Sequence, residues 1–451
     1  IPLIHSLKIP KVKQPSLKRY SPFLSLLASY CTCVSFPPPL PSARSASDWL
    51  PEQVHLSYTG DPLSMTVTWT TFAPTPSVVK YSTVPGPLLF NISAYGNATQ
   101  FVDGGFMKRK MFIHRVTLKN LTPTQRYGKK GAGTGRTWQD RFRCAMGHSS
   151  KLVKKLTKIF AKNIFVLPYL PLKVAGSIFN SILTLTFSGD FAYDLDKDNA
   201  QIGDKFMRQV ESVAAYLPYM TCPGNHEEAY NFSNYRNRFS MPGTTEGLWY
   251  SWNLGPAHII SLSTEVYFFI NYGKELLAEQ YRWLQKDLEE ANKPSNRLER
   301  PWIITMGHRP MYCSNFDKDD CLQHDTVVRT GIFGGQYGLE DLFYKYGVDL
   351  EIWAHEHSYE RLWPVYNYTV YKGSPESPYT NPLAPVHIIT GSAGCNERLD
   401  PFFPLHREWS ALRIEDYGYT RIHIANKTHI HLQQVSDDQN GEIVDDFWLI
   451  K

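Results

Sequence analysis

Alternation of apolar and polar residues is the main pattern between residues 51 and 144. The segments QVHLSY, SMTVTWTTF, VVKYS, IHRVTLKN and RTWQDRFRC are rich in β-branched and aromatic residues, and Pro, Gly and Asn clusters separate them. Short segments of this kind without helical periodicity predict a β-sandwich. We place this domain at residues 51–144 and expect it to have a structural or recognition role, because it offers no catalytic set of residues.

The pattern changes in the second half of the chain, where predicted helices and strands alternate. DKFMRQVESVAAYL predicts a helix, and ELLAEQYRWLQKDLEEAN has its Leu and Tyr residues at helical spacing. The short apolar runs YMTCPG, GPAHIISL, WIITMG, VDLEIWA and VHIITGS predict strands. Helices interleaved with apolar strands favour a layered α/β domain, which we place at residues 184–451.

Residue types that bind metals follow four of the apolar runs. They are Asp190 and Tyr193 after ILTLTFSG, Asn225 and His226 after YMTCPG, His308 after WIITMG, and His355 and His357 after VDLEIWA. Each one alone is compatible with an ordinary strand end or turn. Because ligands collect where the strands of layered α/β folds end, we expect these side chains to converge. The pair His355-x-His357 shares one face of an extended chain and can address one metal cluster.

The order of these motifs is similar to that of a known superfamily. Gly-Asp-x-x-Tyr, Gly-Asn-His-Glu, a strand-end His and Ala-His-x-His resemble the metallophosphoesterases, and Tyr193 resembles the purple acid phosphatases in particular. The likeness extends from PEQVHLSY to RIHIANKTHIHLQQVSDD and is closest to the animal long-form members. It implies a fibronectin III-like β-sandwich followed by a layered α/β/β/α catalytic domain, and an acid phosphatase that hydrolyses phosphomonoesters.

The resemblance also implies a role for each residue at a binuclear metal centre. Asp190 would bridge the two metals, and Tyr193 and His357 would bind the first one, an Fe(III) ion. Asn225, His308 and His355 would bind the second one, a Zn(II), Fe(II) or Mn(II) ion, for which an amide oxygen and two imidazoles are suitable ligands. His226 would protonate the leaving group, and Glu227 would orient His226. A protonated His226 implies an acidic pH optimum.

One family motif is missing. The resemblance calls for an Asp-x-Gly before Asp190, whose Asp is a further ligand of the first metal, but residues 141–189 contain no Asp or Glu. His148 is the one imidazole that could substitute within this gap. Two explanations stay open: the protein is a weakened, single-metal or inactive phosphatase, or residues 145–183 derive from a wrong reading frame or exon. A mass-spectrometric peptide map of residues 141–189 of the natural protein would distinguish them.

The same anomalous segment, residues 145–183, is basic and partly apolar. Its run IFVLPYLPLKVAGSIFNSILTLTF is interrupted by Pro168, Pro171, Lys173 and Asn180, so we expect no transmembrane span. A basic amphipathic segment at residues 151–162 lying on a membrane surface is the alternative.

Composition places the whole chain among folded globular proteins, with 42% hydrophobic and 20% charged residues. A formal charge of +5 over 451 residues does not indicate nucleic-acid binding. Seven cysteines are too few for a disulfide-built scaffold, and their odd number leaves at least one thiol unpaired within the chain. Cys313 and Cys321, separated by seven residues, are the predicted disulfide.

Six Asn-x-Ser/Thr sequons point to a glycoprotein: Asn91, Asn97, Asn120, Asn231, Asn367 and Asn426. Residues 1–47 contain Lys18 and Arg19 before a mostly apolar stretch and small residues, which we interpret as a degraded or misjoined signal peptide. An untargeted leader is the alternative. Together these features predict secretion, to the extracellular space or the lysosomal lumen.

Two rival functions differ from a phosphatase acting on small phosphomonoesters or phosphoproteins. The first is a catalytically silent glycoprotein that keeps the fold and acts as a binding protein, and the second is a phosphodiesterase of the same superfamily.

The C-terminal segment RIHIANKTHIHL contains three histidines, His423, His429 and His431, but we predict no zinc site there. The segment alternates apolar and polar residues around an Asn-Lys-Thr turn, which predicts a hairpin with structural histidines.

Overall fold

The structure, a computed structural model, describes residues 45–83, 91–122, 126–131, 139–143, 164–169, 182–316, 318–393 and 397–451. The predicted leader up to residue 44, His148 and the basic segment 151–162 lie outside these residues. None of the helices in the described ranges is both long and apolar enough to cross a membrane.

The first part of the described chain is a β-sandwich of two four-stranded sheets. Its strands are β1 (Glu52–Tyr58), β2 (Met65–Thr71), β3 (Val78–Ser82), β4 (Ile92–Tyr95), β5 (Asn97–Val102), β6 (Lys110–Leu118), β7 (Arg126–Gly131) and β8 (Gln139–Arg143). The sheet orders are β1-β2-β6-β5 and β4-β3-β7-β8, and every pairing is antiparallel. Alternate residues such as Val67, Trp69 and Val79 are fully buried between the sheets, as the alternating pattern predicts.

The second part combines strands and helices. The strands are β9 (Ile164–Tyr169), β10 (Ile182–Ser188), β11 (Tyr219–Cys222), β12 (Tyr250–Leu254), β13 (Ala257–Ser261), β14 (Trp302–Met306), β15 (Gly331–Ile332), β16 (Gln336–Tyr337), β17 (Leu350–Trp353), β18 (Tyr359–Leu362), β19 (Val365–Tyr366), β20 (Thr369–Val370), β21 (Val386–Thr390), β22 (Ser410–Ile414), β23 (Gly418–Ile424), β24 (His429–Ser436) and β25 (Glu442–Ile450). The α-helices are α1 (Lys197–Ala214), α2 (Ala229–Arg238), α3 (Lys274–Ala291), α4 (Pro294–Glu299), α5 (Val327–Thr330) and α6 (Glu340–Lys345).

Two large sheets form the centre of this part, with strand orders β11-β10-β9-β23-β24-β25 and β12-β13-β14-β17-β21-β18-β22. Side chains from both sheets, including Met220, Ile304, Ile352, Ile422 and Leu432, are fully buried in one apolar cluster. A second cluster joins the sheets to the helices, whose apolar faces supply residues that include Met207, Val210, Leu277 and Leu284. Burying one such side chain stabilises the fold by about 1.5–3 kcal/mol. The predicted sandwich and layered α/β/β/α architecture is confirmed.

One strand of the six-stranded sheet lies in the anomalous segment. The run that forms β9 is not among the predicted strands, yet β9 lies beside β10, antiparallel to it, and pairs in parallel with β23 on its other side. The run IFVLPY therefore fills the position next to β10. It does so without a carboxylate, and it runs opposite to β10, whereas β10 and β11 are parallel.

A buried ion-pair network connects the sandwich with α1. Asp204 accepts hydrogen bonds from Arg238 at 2.9 Å and from Arg109 of the sandwich at 2.7 Å. Gln53 of β1 adds a backbone hydrogen bond to the Glu211 carboxylate at 2.7 Å. Removing one partner of such a buried pair costs roughly 3–5 kcal/mol, because the other charge is left uncompensated.

Candidate metal centre

The loops that follow β10 and β11 touch at two glycines. A Cβ atom built on Gly189 would lie 2.6 Å from the Gly224 backbone and 2.6 Å from Nδ1 of His308, and one built on Gly224 would overlap the Asp190 carboxylate. Gly189 also has a φ of +84°, which favours glycine. The Gly-Asp and Pro-Gly-Asn sequences therefore allow the approach that brings Asp190, Asn225 and His308 together.

His308 is the fully buried centre of one half of the site. Its Nδ1–H donates to the carbonyl oxygen of Ser188 at 2.6 Å, which leaves the Nε2 lone pair facing inward. Three further atoms surround Nε2: Asn225 Oδ1 at 3.0 Å, His355 Nδ1 at 3.0 Å and Asp190 Oδ2 at 3.2 Å. Four electron-rich nitrogen and oxygen atoms at this separation fit a divalent cation bound among them.

The electrostatics of this half also favour a cation. Burial acts to lower the pKa of His308, but the negative charge of Asp190 and the hydrogen bond to it raise that pKa to about 9. In turn, burial acts to raise the pKa of Asp190, while the charge of His308 holds it well below its usual range. Burial lowers the pKa of His355, which keeps this imidazole neutral and able to act as a ligand. The Asp190 carboxylate therefore stabilises positive charge in this pocket, which is a proton on His308 or, in its place, a metal cation.

Tyr193 and His357 form the other half of the site. The Tyr193 hydroxyl lies 2.9 Å from His357 Nε2, and both side chains are about nine-tenths buried. Asp190, Tyr193 and His355 all have positive φ angles, of 55°, 47° and 68°. Such backbone costs about 1–3 kcal/mol in a non-glycine residue and is concentrated at functional sites.

The described strands that precede Asp190 in the catalytic domain bring no carboxylate to this half. The nearest acid before Asp190 in the sequence is Asp140, which lies in sandwich strand β8, opposite Lys129 of β7 in the strand register. Strands β9 and β10 contain no acidic residue. The donor atoms that the structure places in this half are the Tyr193 hydroxyl and His357 Nε2, with Asp190 between the two halves.

His226 lies at the edge of the cluster, with its side chain 24% exposed. Its ring packs against Tyr193 with centroids 4.3 Å apart, and Nδ1 contacts the Asp194 carboxylate at 2.6 Å. Lys197 forms an ion pair with the same carboxylate. Although partial burial acts to raise the pKa of Asp194, its hydrogen bonds with Lys197 and His226 lower that pKa. Asp194 was missed in the sequence, although it is adjacent to Tyr193.

The expectation that Glu227 orients His226 is wrong. The Glu227 carboxylate accepts hydrogen bonds from the backbone amides of Gly224, Asp190 and Phe191, at 2.8–3.0 Å. Burial and the nearby charge of Asp190 raise the pKa of Glu227 to about 8. This residue therefore joins the two ligand-bearing loops, and Asp194 contacts the His226 ring in its place.

A second missed carboxylate lies on the far side of His355. Nε2 of His355 contacts Asp319, and Nη1 of Arg309 lies 2.9 Å from the same nitrogen. Asp319 belongs to the loop closed by the disulfide between Cys313 and Cys321. The signal that could have found it is the pair of acids, Asp319 and Asp320, inside that short loop.

Other predicted residues lie away from the cluster. Five of the predicted sequon asparagines are exposed and one, Asn231, is half-buried; the exposed ones are Asn91, Asn97, Asn120, Asn367 and Asn426.

The C-terminal histidines lie in the predicted hairpin. His423 and His431 face each other in strands β23 and β24, and His431 stacks on Trp448 with ring centroids 4.4 Å apart. Within the described ranges, the groups of residues able to hold a metal include Asp190, His308 and His355 but none of the hairpin histidines.

Three family models match the chain. The model described as purple acid phosphatase, N-terminal domain, matches residues 51–144, and the calcineurin-like phosphoesterase model matches residues 160–359. The model described as iron/zinc purple acid phosphatase-like protein C matches residues 384–446.

Curated relatives agree with these matches. Acid phosphatase type 7 of Mus musculus is 57% identical over 436 residues, which cover 96% of this chain and 98% of that protein. The Homo sapiens protein of the same name is 58% identical, covering 94% of this chain and 96% of the relative. The Fe(3+)-Zn(2+) purple acid phosphatase 12 of Arabidopsis thaliana is 31% identical over 58% of this chain and 56% of its own length.

A solved structure supports the same fold. The purple acid phosphatase from seeds of yellow lupin, Lupinus luteus, superposes with a TM-score of 0.67 at 21% identity, covering 89% of this chain and 74% of that one. Together with the cluster around His308, these likenesses support a binuclear metal centre.

Proposed function

The chain belongs to the purple acid phosphatase family, and from this premise we propose that it is a secreted acid phosphatase with one strong and one weakened metal site. As a phosphoric monoester hydrolase it acts on phosphomonoesters. The observation that carries the proposal is the convergence of Asn225, His355 and Asp190 on His308 Nε2 within 3.0–3.2 Å.

In the proposed centre, the residues around His308 hold the second metal, and Zn(II), Fe(II) or Mn(II) suits their amide, carboxylate and imidazole donors. When bound, the metals supply positive charge that neutralises the phosphate oxygens and acidifies the attacking water. The protein contributes the buried pocket that keeps these donors in place before substrate arrives.

The first site is proposed to bind its metal more weakly. Tyr193 and His357 would supply a phenolate and an imidazole, which suit Fe(III), and Asp190 would have to serve both metals. A trivalent ion here is one anionic ligand short, because β9 and β10 carry no acid. We therefore expect both metal content and activity to be impaired relative to a centre with the additional Asp.

His226 is the proposed proton donor. Its ring is more exposed than those of His308, His355 and His357, whose side chains are 0–13% exposed, so it can reach a substrate that enters the site. The Asp194 carboxylate orients the ring through Nδ1, which leaves Nε2 to give its proton to the departing alkoxide. Because donation requires protonated His226, we expect activity to be highest at acidic pH.

Secretion is proposed from the leader and the sequons, five of which are exposed. The proposed location is the extracellular space or the lysosomal lumen, with small phosphomonoesters or phosphoproteins as substrates. Nucleic-acid binding is not expected, because the formal charge is only +5.

The alternative function is a catalytically silent glycoprotein that acts as a binding protein. The observation in its favour is the missing carboxylate of the first site. The two functions differ in their metal content, because a silent chain has no need to hold two ions.

Metal analysis combined with hydrolysis of an aryl phosphate at acidic pH tests the proposal on the purified full-length chain. We expect bound metal, a tyrosinate-to-iron absorption band when iron is supplied, and measurable release of phosphate. A colourless protein that holds no metal and releases no phosphate would contradict the phosphatase and support the silent glycoprotein. A peptide map of residues 141–189 of the natural protein would show whether the printed segment is the one present there.

A further inference from the structure

The imidazole of His355 contacts a different partner through each of its two nitrogens. Nδ1 faces the candidate metal pocket, 3.0 Å from His308 Nε2, and Nε2 faces Asp319 on the opposite side. A neutral imidazole carries one proton, and only the nitrogen without it can bind a metal. Nδ1 is therefore available as a ligand only if the proton lies on Nε2.

Two groups of opposite character compete for Nε2. The Asp319 carboxylate accepts a hydrogen bond, so it stabilises the tautomer with the proton on Nε2 and leaves the Nδ1 lone pair free. The Arg309 guanidinium, whose Nη1 is 2.9 Å from Nε2, can only donate and stabilises the opposite tautomer. Without the carboxylate, the proton would move to Nδ1 and block the ligand position.

Arg309 has anchors besides its 3.4 Å contact with Asp319 Oδ1. Its Nε donates to the buried Glu265 carboxylate at 3.2 Å, and its guanidinium lies over the Phe268 ring at 4.3 Å. The guanidinium would therefore stay beside His355 if Asp319 were changed. This makes the carboxylate, rather than the arginine, the group that decides the tautomer.

The loop that carries Asp319 is anchored at several points. The Cys313–Cys321 disulfide closes it, and Ser314 donates to the Glu360 carboxylate through both its backbone amide and its hydroxyl, at 3.0 and 2.5 Å. The amide of Asp320 donates to Asp319 Oδ1 at 2.6 Å, which directs Oδ2 at His355. The carboxylate is thus fixed before any metal arrives.

We propose that Asp319 is a positioning residue for the second metal site, and that it keeps the His355 imidazole in the tautomer whose Nδ1 binds the metal. The inference rests on the proposed function, since it assigns a role toward the metal that this site would hold. Carboxylates that orient metal-binding histidines in this way typically contribute 10–100-fold to metal affinity.

The test is a Co²⁺ titration of the full-length chain after its metals have been removed with a chelator. Binding is followed by visible absorption and by competition with a chelator for wild type, Asp319→Asn and the control Asp325→Asn. Asp325 lies downstream of the same loop, and its exposed side chain contacts the exposed His324. We expect Asp319→Asn to weaken the tighter Co²⁺ site by about 10–100-fold and Asp325→Asn to leave it unchanged. The melting temperature of the metal-free chain should be the same for all three.

Three results would contradict the inference. If Asp319→Asn bound Co²⁺ with wild-type affinity, the role of Asp319 would be excluded, but the proposed function would not be affected. A loss of affinity accompanied by a fall in the melting temperature of the metal-free chain would show that Asp319 only stabilises the fold. A wild-type chain that binds no Co²⁺ would overturn the proposed function as well, so the two failures are distinguishable.

A second variant tests the contribution of the loop. Replacing both cysteines, Cys313→Ser and Cys321→Ser, should lower Co²⁺ affinity, and adding Asp319→Asn should then have less effect than it has in wild type, because the two changes act through one contact. Full additivity of the two effects would show that the disulfide does not act through Asp319.

Discussion

The two halves of the candidate metal centre differ in how completely they are built. In the half around His308, three donor atoms lie 3.0–3.2 Å from a fourth, His308 Nε2, and a carboxylate contacts the far side of His355. The half around Tyr193 has a phenol and an imidazole 2.9 Å apart and must share Asp190. Both halves depend on loops that end buried strands. Among the described residues, the two halves therefore share one fold but differ in the number of donor atoms that they bring together.

The difference follows from which strands supply each half. The complete half receives residues from the ends of β11, β14 and β17, whose sequences fit the family pattern. The incomplete half depends on the strand beside β10, where β9 replaces the expected Asp-x-Gly strand and runs antiparallel. Backbone pairing can be supplied by almost any apolar β-prone segment, whereas a ligand requires one residue type at one position.

The largest effect should come from removing the complete half. His308→Ala deletes the atom around which the other donors converge, so we expect the tightly bound metal to be lost and hydrolysis of an aryl phosphate to fall at least about 100-fold. The control is His429→Gln in the β23–β24 hairpin, which should keep both metal and activity. An active, metal-loaded His308→Ala chain would remove the basis for the comparison.

Changing the proton donor should leave both halves intact. His226→Gln removes the group that protonates the leaving alkoxide, and we expect kcat for an alkyl phosphate to fall by about 100-fold while the metal content stays the same. An aryl phosphate, whose leaving group needs less protonation, should be affected less. Equal losses for both substrates would show that His226 does not act as the acid.

A smaller effect is expected in the incomplete half. Tyr193→Phe removes the phenol oxygen but keeps the ring that packs on His226, so we expect loss of the tyrosinate-to-iron absorption band and a fall in hydrolysis on the order of tenfold. The metal of the other half should be retained. If Tyr193→Phe lost as much metal and activity as His308→Ala, the two halves would be equal and the comparison would be wrong.

The last effect concerns stability at acidic pH rather than activity, and it arises outside both halves. His114 is fully buried in the sandwich, where Ser77 contacts Nδ1 at 2.8 Å and Thr71 contacts Nε2 at 2.9 Å. Burial, helped by the charge of Arg115, lowers the pKa of His114 from 6.5 to about 4. The unfolded chain therefore binds a proton between these pH values while the folded chain does not, and stability falls as pH falls through this range.

We expect His114 to account for about 2–3 kcal/mol of the loss in free energy of unfolding between pH 7.5 and pH 4.5. In His114→Gln the loss over this range should be smaller by that amount, whereas exposed His324→Gln should lose as much as wild type. Chemical denaturation at the two pH values measures it. An unchanged pH dependence in His114→Gln would exclude this residue as a source of acid sensitivity.

The extent to which the sequence predicts this molecule differs between strands and loops. The predicted strands and helices, and the convergence of Asp190, Asn225, His308 and His355, follow from apolar runs that each end in a polar residue. Asp194 and Asp319 could not be predicted in this way. Their roles arise from contacts between a loop carboxylate and a histidine 32 or 36 residues away in the sequence, and no periodic pattern marks such contacts.

Glu227 and β9 also have partners that the sequence did not predict. Glu227 is adjacent to His226, which suggested contact between their side chains, but its backbone position turns the carboxylate toward three amides. The apolar run of β9 did not indicate which strands it would pair with or in which direction, because both depend on partners elsewhere in the chain. Neighbouring positions in sequence therefore predict element type better than they predict side-chain partners.

The most direct test of the proposed inequality of the two metal sites is a metal titration of the metal-free, full-length wild-type chain, with aryl phosphate hydrolysis measured at each metal loading. We expect two unequal sites, with one equivalent bound tightly at the His308 half and a second bound more weakly. Hydrolysis should rise as the weaker site fills. Two equivalents bound with equal affinity, or a chain that binds no metal at all, would contradict this inequality.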